Sequence, residues 1–212
     1  TIPNFHNTED RLAKFKAALA ADPLGRAKDC GAEIQFVLDR EADCSVALNA
    51  MREGTLPLRV THNDTKLNNV LMDEETRQGI CIIDLDTVMP GLAINDFGDS
   101  IRFGANHSAE DERDLSKVNL DVELFSAYTA AFLEGAGGSL TNEEIDYLPW
   151  GAKLMTLECG IRFLTDYLDG DHYFHISREA QNLDRCRTQF KLAADMEDRW
   201  AELEAIVRQY RK

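Results

Sequence analysis

Residues 60–86 read Val60-Thr61-His62-Asn63-Asp64-Thr65-Lys66-Leu67-Asn68-Asn69-Val70-Leu71-Met72-Asp73-Glu74-Glu75-Thr76-Arg77-Gln78-Gly79-Ile80-Cys81-Ile82-Ile83-Asp84-Leu85-Asp86. Two short apolar runs, 69–72 and 80–83, flank the polar segment 73–79, a pattern that predicts a β-hairpin with a solvated turn. Asp64 is followed five residues later by Asn69, and Asp84 closes the second run. In phosphoryl transfer the protein mainly positions groups and stabilises charge; one Asp accepts the proton of the attacking hydroxyl, while an Asn and a second Asp hold magnesium. The spacing offers Asp64 as catalytic base, and Asn69 and Asp84 as oxygen ligands of Mg2+. Lys66, two residues beyond Asp64, is placed to neutralise a transferring phosphate, which makes it a catalytic and an ATP-contacting candidate. His62 is expected to orient the loop backbone. Asp86 stays open between a second metal contact and a brace for the hairpin. The competing reading is an Asp- and Asn-rich turn with capping roles only, since these residues are common in turns.

Working outward, the N-terminal side reads as helical scaffold. Asn7 or Thr8 can cap a helix with Leu12, Phe15 and Leu19 on its buried face, stopped by Asp22-Pro23. A second helical region is expected from about residue 28 to 53, ended by Gly54. His6 is expected to be a capping or loop residue, and Leu58 to Thr61 a short strand entering the central stretch.

Beyond Asp86, Asn95 or Asp96 can cap a helix carrying Ile101 and Phe103. The triplet Asp96-Phe97-Gly98 mimics a kinase metal motif, but Asp84 sits at a strand end and Asp96 at a helix start. Asp96 and Asp99 are therefore expected to brace the catalytic loop through backbone or Arg102 contacts. Residues 106–120 are charged and low in apolar side chains, which predicts an exposed loop. A helix over 121–134 ends in a Gly-rich C-cap at 135–138, which follows a helix and is no phosphate cradle. Thr141-Asn142-Glu143-Glu144 is a capping box, Pro149 should kink or restart the next helix, and Ser177 can cap a long C-terminal helix. Around the turn Asp169-Gly170-Asp171 gather Arg162, Asp166, Tyr167, His172, Tyr173 and His175. The fold class expected is α+β, predominantly helical.

The formal net charge is −15 over 212 residues, which argues against nucleic acid and anionic membranes as partners. The cysteines are five, scattered and without a C-x-x-C pair, so they read as reduced core thiols of a cytoplasmic protein. No stretch is long and apolar enough to span a bilayer. Oligomeric state is not legible.

His62-Asn63-Asp64-Thr65-Lys66-Leu67-Asn68-Asn69-Val70-Leu71, followed by Ile83-Asp84-Leu85-Asp86, resembles the catalytic and metal-binding loops of the aminoglycoside phosphotransferase and choline kinase superfamily. Its members share the protein-kinase-like fold. The Asn-Asp-Thr-Lys-x-Asn-Asn string, the Asp-Thr-Val-Met-Pro-Gly loop and Arg162-Phe163-Leu164-Thr165-Asp166-Tyr167-Leu168 resemble the N-acetylhexosamine 1-kinases, relatives of which have been labelled mucin desulfatases. Lys66 follows the protein Ser/Thr kinase arrangement, where aminoglycoside kinases more often carry His-Pro. The resemblance implies ATP- and magnesium-dependent phosphorylation of the anomeric hydroxyl of an N-acetylhexosamine, with Asp64 as base, Asn69 and Asp84 on magnesium, and Arg162 and Tyr173 on the sugar. Read alone, Arg162 can equally pair with Asp96, Asp99 or Asp166, and Tyr173 can be a core residue.

The chain opens on Thr1-Ile2-Pro3, and no Val-Ala-Ile-Lys-like strand or phosphate-loop glycine pattern occurs in it. Residues 1–212 are therefore expected to be the C-terminal catalytic and substrate-binding lobe, without the N-terminal nucleotide lobe and with little activity alone. Rival readings are a kinase of another small alcohol (choline, homoserine or an aminoglycoside), a non-catalytic interaction module on the same scaffold, and a magnesium-dependent hydrolase. No Cys-x-Pro-x-Arg motif supports a sulfatase.

Overall fold

A single 22-residue helix, most of its residues buried, is the axis on which the chain is built. The computed structural model describes residues 1–212. In chain order the elements are α1 (Thr8–Ala21), α2 (Gly31–Leu38), α3 (Val46–Arg52), β1 (Arg59–Thr61), β2 (Val70–Met72), β3 (Gly79–Ile82) and β4 (Met89–Gly91). There follow α4 (Ala93–Gly104), α5 (Val122–Gly135), α6 (Asn142–Asp146), α7 (Leu148–Asp169), α8 (Gln181–Asp198) and α9 (Trp200–Arg208). The architecture is mostly helical with two small antiparallel strand pairs, an α+β fold as the sequence pattern implied.

The axis is α7. Its N-terminal half contributes Leu148, Ala152 and Leu154 to a core completed by α4, α5 and α9, with Phe97, Ile101 and Phe125 fully enclosed. Its C-terminal half contributes Leu157, Ile161, Leu164 and Leu168 to a second core with α1 and α8, closed by Phe15, Cys186 and Phe190. Helix α4 crosses α7 in backbone contact, because glycines meet there: a Cβ on Gly98 would run into the Gly151 carbonyl, and one on Gly151 into the Ile94 carbonyl. Small residues let two helices approach this closely, and the crossing sets the position of Asp96 and Asp99 relative to Glu158 and Arg162.

The expected hairpin is present as β2–β3, pairing Val70 with Ile82 and Leu71 with Cys81, with an irregularity between Leu71 and Met72. Its turn is held by the Asp73 carboxylate, which accepts from the amides of Glu75 and Thr76. The second pair, β1–β4, places Arg59 opposite Gly91 and Thr61 opposite Met89. The two pairs bracket the loop 62–69, so this loop is anchored by strands at both ends.

Several local expectations hold in detail. Asn7 caps α1 by accepting from the Asp10 amide at 2.9 Å, and α1 ends at Asp22 in the left-handed region. Thr141 and Glu144 form the reciprocal capping box of α6. Gly54 takes a positive φ after α3, and Pro149 sits in the first turn of a new helix, α7, where its missing N–H costs nothing.

Others are corrected. The helix expected over 28–53 is two short helices, α2 and α3, preceded by a tight turn at 27–29 and separated by one at 41–45. Cys44 and Val37 are fully buried there, and the chain bends to bring both into the second core. The segment 106–120 is no free loop: Val118 and Leu120 enter the first core, and the Leu120 amide donates to Asp195. Ser177 does not cap the C-terminal helix; its amide and hydroxyl donate to Gln181, α8 starts after Ala180, and the helical run breaks again at Arg199. Helix α4 begins after Leu92, which places Asn95 and Asp96 inside its first turn and not at its cap. No helix is long and apolar enough to cross a membrane. Cys30, Cys44 and Cys186 fill the core as expected, whereas Cys81 lies exposed on the hairpin.

Candidate active site

The loop 62–69 leaves β1 at Thr61 and is immediately fastened to α4. The Asp96 carboxylate accepts from the His62 amide at 2.8 Å and from the Asn63 amide at 2.7 Å, so the expected brace exists and works through backbone. Burial pushes the Asp96 carboxyl above the ordinary carboxylate value against the pull of those two amides. Thr65 donates to the Asp96 carbonyl, Ser100 donates to the Thr65 carbonyl, and Thr87 donates to the His62 carbonyl. Asn63 is held at φ 66, a conformation Asn tolerates through its short polar side chain, and its amide group reaches the Thr61 and Thr87 carbonyls.

His62 orients the loop as expected. Its Nδ1 accepts from the Asp64 amide at 3.2 Å, which places the ring proton on Nε2, where it points at the Ile83 carbonyl 3.0 Å away. The ring therefore ties Asp64 to the residue preceding Asp84. A second tie runs from the Ile83 amide to the Asn69 carbonyl at 2.9 Å. Asp84 itself stands exposed at φ 61, ψ 54, in the left-handed region. Asp is one of the residue types whose short polar side chain tolerates this conformation. Asp86 is exposed in the turn 85–87 and braces nothing in the hairpin.

Asp64 is the centre of the arrangement. Its Oδ2 accepts from Lys66 Nζ at 2.8 Å and from Asn69 Nδ2 at 2.9 Å, and its carbonyl takes a further bond from Asn69 Nδ2 at 2.8 Å. Partial burial raises its pKa, but the Lys66 and Asn69 hydrogen bonds and the Lys66 charge outweigh that and hold it below the ordinary value. The side chain is therefore a carboxylate at neutral pH. Asn69 directs its Nδ2 at Asp64, and its Oδ1 takes no hydrogen bond within the chain. No cluster of three or more His, Cys, Asp or Glu side chains could hold a metal by itself. The oxygen pair of Asn69 and Asp84 fits magnesium, which is usually bound through one or two protein oxygens plus substrate phosphates and waters.

One cavity adjoins this loop, and a second, lined by no loop residue, shares Arg162 with it. The smaller, about 80 Å³, is lined by Asp64, Asn63, His6, Asp99, Arg102 and Glu158 among others. The larger, about 290 Å³, is lined by Arg11, Lys14, Arg162, Asp166, Tyr173 and Phe174 among others. The structure thus brings Arg162 and Tyr173 together, the guanidinium carbon lying 5.7 Å from the ring centre. None of the carboxylates considered as partners for Arg162 takes it. Asp99 pairs with Arg102 at 2.8 Å, Asp96 holds loop amides, and Asp166 accepts from the amides of His172, Tyr173 and Phe174. Tyr173 is no core residue, being 74% exposed.

Two residues of the site, His6 and Glu158, were not assigned to it from the sequence, and Arg102 was expected only as a contact of Asp96 or Asp99. His6 lies in the turn before α1, as expected of a loop residue, but its ring is buried and inserted between the loop 62–69 and α7, with Nε2 2.8 Å from the Asn63 carbonyl and Nδ1 3.2 Å from Glu158. Glu158 and Arg102 line the cavity beside Asp64. His6 and Glu158 come from segments far from residues 60–86, and no local pattern links either of them to that stretch.

Residues 1–132, more than half of the chain and including the whole loop and hairpin, match the phosphotransferase enzyme family, APH. The fold and this match define a kinase-type phosphotransferase. The chain belongs to the phosphotransferase enzyme family, within the aminoglycoside phosphotransferase and protein-kinase-like superfamily.

Proposed function

We propose that the chain is the acceptor- and metal-binding lobe of an ATP- and magnesium-dependent kinase that phosphorylates the anomeric hydroxyl of an N-acetylhexosamine. The observation that carries this reading is the ionised Asp64 carboxylate, fixed by Lys66 and Asn69 and lining a cavity with arginines. In this role Asp64 accepts the proton of the acceptor hydroxyl as the oxygen attacks the terminal phosphorus, and ADP departs as the leaving group. Lys66, paired with Asp64 in the absence of phosphate, offsets charge on the transferring group. Asn69 Oδ1 and Asp84 would hold magnesium, which supplies charge neutralisation to the phosphates when bound.

The acceptor cavity supports a neutral sugar over a cationic alcohol. Arg11, Lys14 and Arg162 line the larger chamber with Asp166, whose carboxylate is occupied by amides, and with Asp169; Arg102 and Arg162 line the smaller one with Asp64, Glu158 and Asp99, the last paired with Arg102. The three cationic side chains of the larger chamber outnumber its two carboxylates, which disfavours a choline or aminoglycoside cation there. A hexosamine can stack its apolar face on the Tyr173 ring and offer its carbonyl to Arg162, the mix of apolar surface and a few polar groups usual in ligand pockets.

The hairpin supports a second body above this lobe. Val60, Leu67, Leu71, Ile80, Ile82 and Leu85 are all exposed, with Ile80 65% and Ile82 59% accessible, and a patch of this kind marks an interaction surface. We assign to it the lobe that covers the nucleotide. The test is ADP release by the complete gene product with ATP and magnesium over a panel of N-acetylglucosamine, N-acetylgalactosamine, choline, homoserine and an aminoglycoside. Turnover confined to the N-acetylhexosamines supports the reading, and turnover confined to a cationic acceptor refutes it.

A further inference from the structure

His6 faces acceptors through both ring nitrogens. Nε2 lies 2.8 Å from the Asn63 carbonyl, which can only accept, so Nε2 carries a proton. Nδ1 lies 3.2 Å from Glu158 Oε1. Glu158 is held below the ordinary Glu value: burial opposes this, but the His6 hydrogen bond and charge, with Arg162 and Arg11, outweigh it. Its oxygen is therefore a pure acceptor as well, and Nδ1 must be the donor. Only the doubly protonated ring satisfies both contacts.

The neighbourhood is consistent with that charge. Around the ring stand Glu158 and Arg162 on α7, Arg11 on α1, and Asp96, Asp99 and Arg102 on α4. Asp99 is paired with Arg102, and Glu158, whose Oε1 also lies 3.7 Å from Arg11, is the counter-charge in direct contact with His6. The side chains of His6 and Glu158 are 8% and 2% exposed, so the pair is shielded from water and its Coulomb energy is little screened. Burial alone lowers the pKa of the ring, but the Glu158 hydrogen bond and charge and the Asn63 carbonyl raise it further than burial lowers it. His6 also sits at φ 53, an uncommon conformation for a residue with a side chain, which aims the ring inward from an otherwise exposed N-terminal segment.

We propose that the His6 imidazolium is a positioning residue for phosphoryl transfer: it clamps the carbonyl of Asn63, the residue directly before Asp64, to Glu158 on the central helix, and so fixes the catalytic carboxylate against the acceptor cavity. The clamp rests on Asp64 being the base. It complements the Asp96 brace, which holds the amide of the same residue from the opposite side. The peptide units on both sides of the Asn63 α-carbon are thereby pinned, one by an anion and one by a cation. Loss of the ring proton as pH rises leaves Nδ1 facing Glu158 lone pair to lone pair, and the clamp opens.

The experiment has two readouts. The first needs no turnover: 15N spectra of imidazole-labelled protein, with the His6 signals assigned by their loss in His6→Gln, are expected to show both ring nitrogens protonated at pH 7. An unprotonated Nδ1 or Nε2 at that pH overturns the proposal even if the enzyme proves to be a hexosamine kinase. The second uses the complete gene product. His6→Gln retains one donor and is expected to lower kcat about tenfold or more, with KM for ATP and acceptor changed less than about twofold, since one charged hydrogen bond is lost from the ground-state scaffold. Glu158→Gln keeps the acceptor but removes the charge, and should move the alkaline limb of the kcat profile to lower pH without abolishing folding. An unchanged profile in Glu158→Gln, or an unchanged kcat in His6→Gln, also overturns it. Absence of turnover in the wild type would count against the proposed function alone and leave the spectroscopic test standing.

Discussion

Replacing Asp64 by Asn separates chemistry from scaffold, because the structure shows what the substitution removes and what it leaves. The carboxylate loses its charge and its capacity to take a proton, and a positioned general base contributes about 10²–10⁴-fold. At 1.36 kcal/mol per tenfold, that is ~3–5 kcal/mol of barrier. The folding cost is far smaller. The Lys66–Asp64 pair is 34% and 26% exposed, so after solvent screening it is worth less than about 1 kcal/mol. The Asn69 bond to the Asp64 main-chain carbonyl at 2.8 Å survives the substitution, as do the amide bonds to Asp96. Steady-state kinetics on the complete gene product, paired with thermal unfolding, is the assay. The expected result is a fall in kcat of at least about a hundredfold, with Tm and KM for ATP nearly unchanged. A kcat within about threefold of wild type would refute Asp64 as the base; an equally large fall in Tm would show that its role is structural.

Other outcomes follow from the same geometry. Lys66→Met removes the main influence holding the Asp64 pKa down, so the acid limb of kcat should move to higher pH; the wild-type carboxylate stays ionised below the ordinary Asp range and loses its contribution only as pH falls through that lowered value. A pH profile with an unmoved acid limb would contradict this. Asp84→Ala should raise the magnesium concentration needed for half-maximal rate while leaving Tm unchanged, because the side chain is exposed; an unchanged magnesium titration would remove Asp84 as a ligand. Asp96→Ala strips the acceptor from two loop amides at 2.7 and 2.8 Å, and at ~1.5–3 kcal/mol per bond to a charged group it should lower both stability and kcat. Gly151→Ala forces a methyl into the Ile94 carbonyl at the α4–α7 crossing and should lower stability by about 1–3 kcal/mol or more, measured by denaturant unfolding.

What could be read from the chain follows the range of the interactions involved. The Asn7 cap, the Thr141–Glu144 box, the 70–82 hairpin and the Gly54 turn are local, set by residues a few positions apart, and each was legible. The pairing of Asp64 with Lys66 and Asn69 is local too, which is why a five-residue spacing exposed it. The break in the expected 28–53 helix was not legible, since no Gly or Pro between Ala32 and Glu53 marks it; the burial of Val37 and Cys44 against α1 and α7 decides it. His6 and Glu158 lie 152 positions apart, and neither has a neighbour in sequence that hints at the other. The charged segment 106–120 misled because its two buried residues, Val118 and Leu120, are outnumbered by polar ones that face solvent or pair with α8.

The central claim is that this lobe directs the oxygen at an anomeric carbon of an N-acetylhexosamine onto the phosphorus of ATP. The direct measurement is 31P NMR of the product formed by the complete gene product from N-acetylglucosamine, ATP and magnesium. The account predicts a phosphate monoester signal coupled to the anomeric proton, absent in Asp64→Asn. A phosphate coupled to the C6 protons, or no ester with any N-acetylhexosamine while a cationic alcohol is phosphorylated, would contradict it.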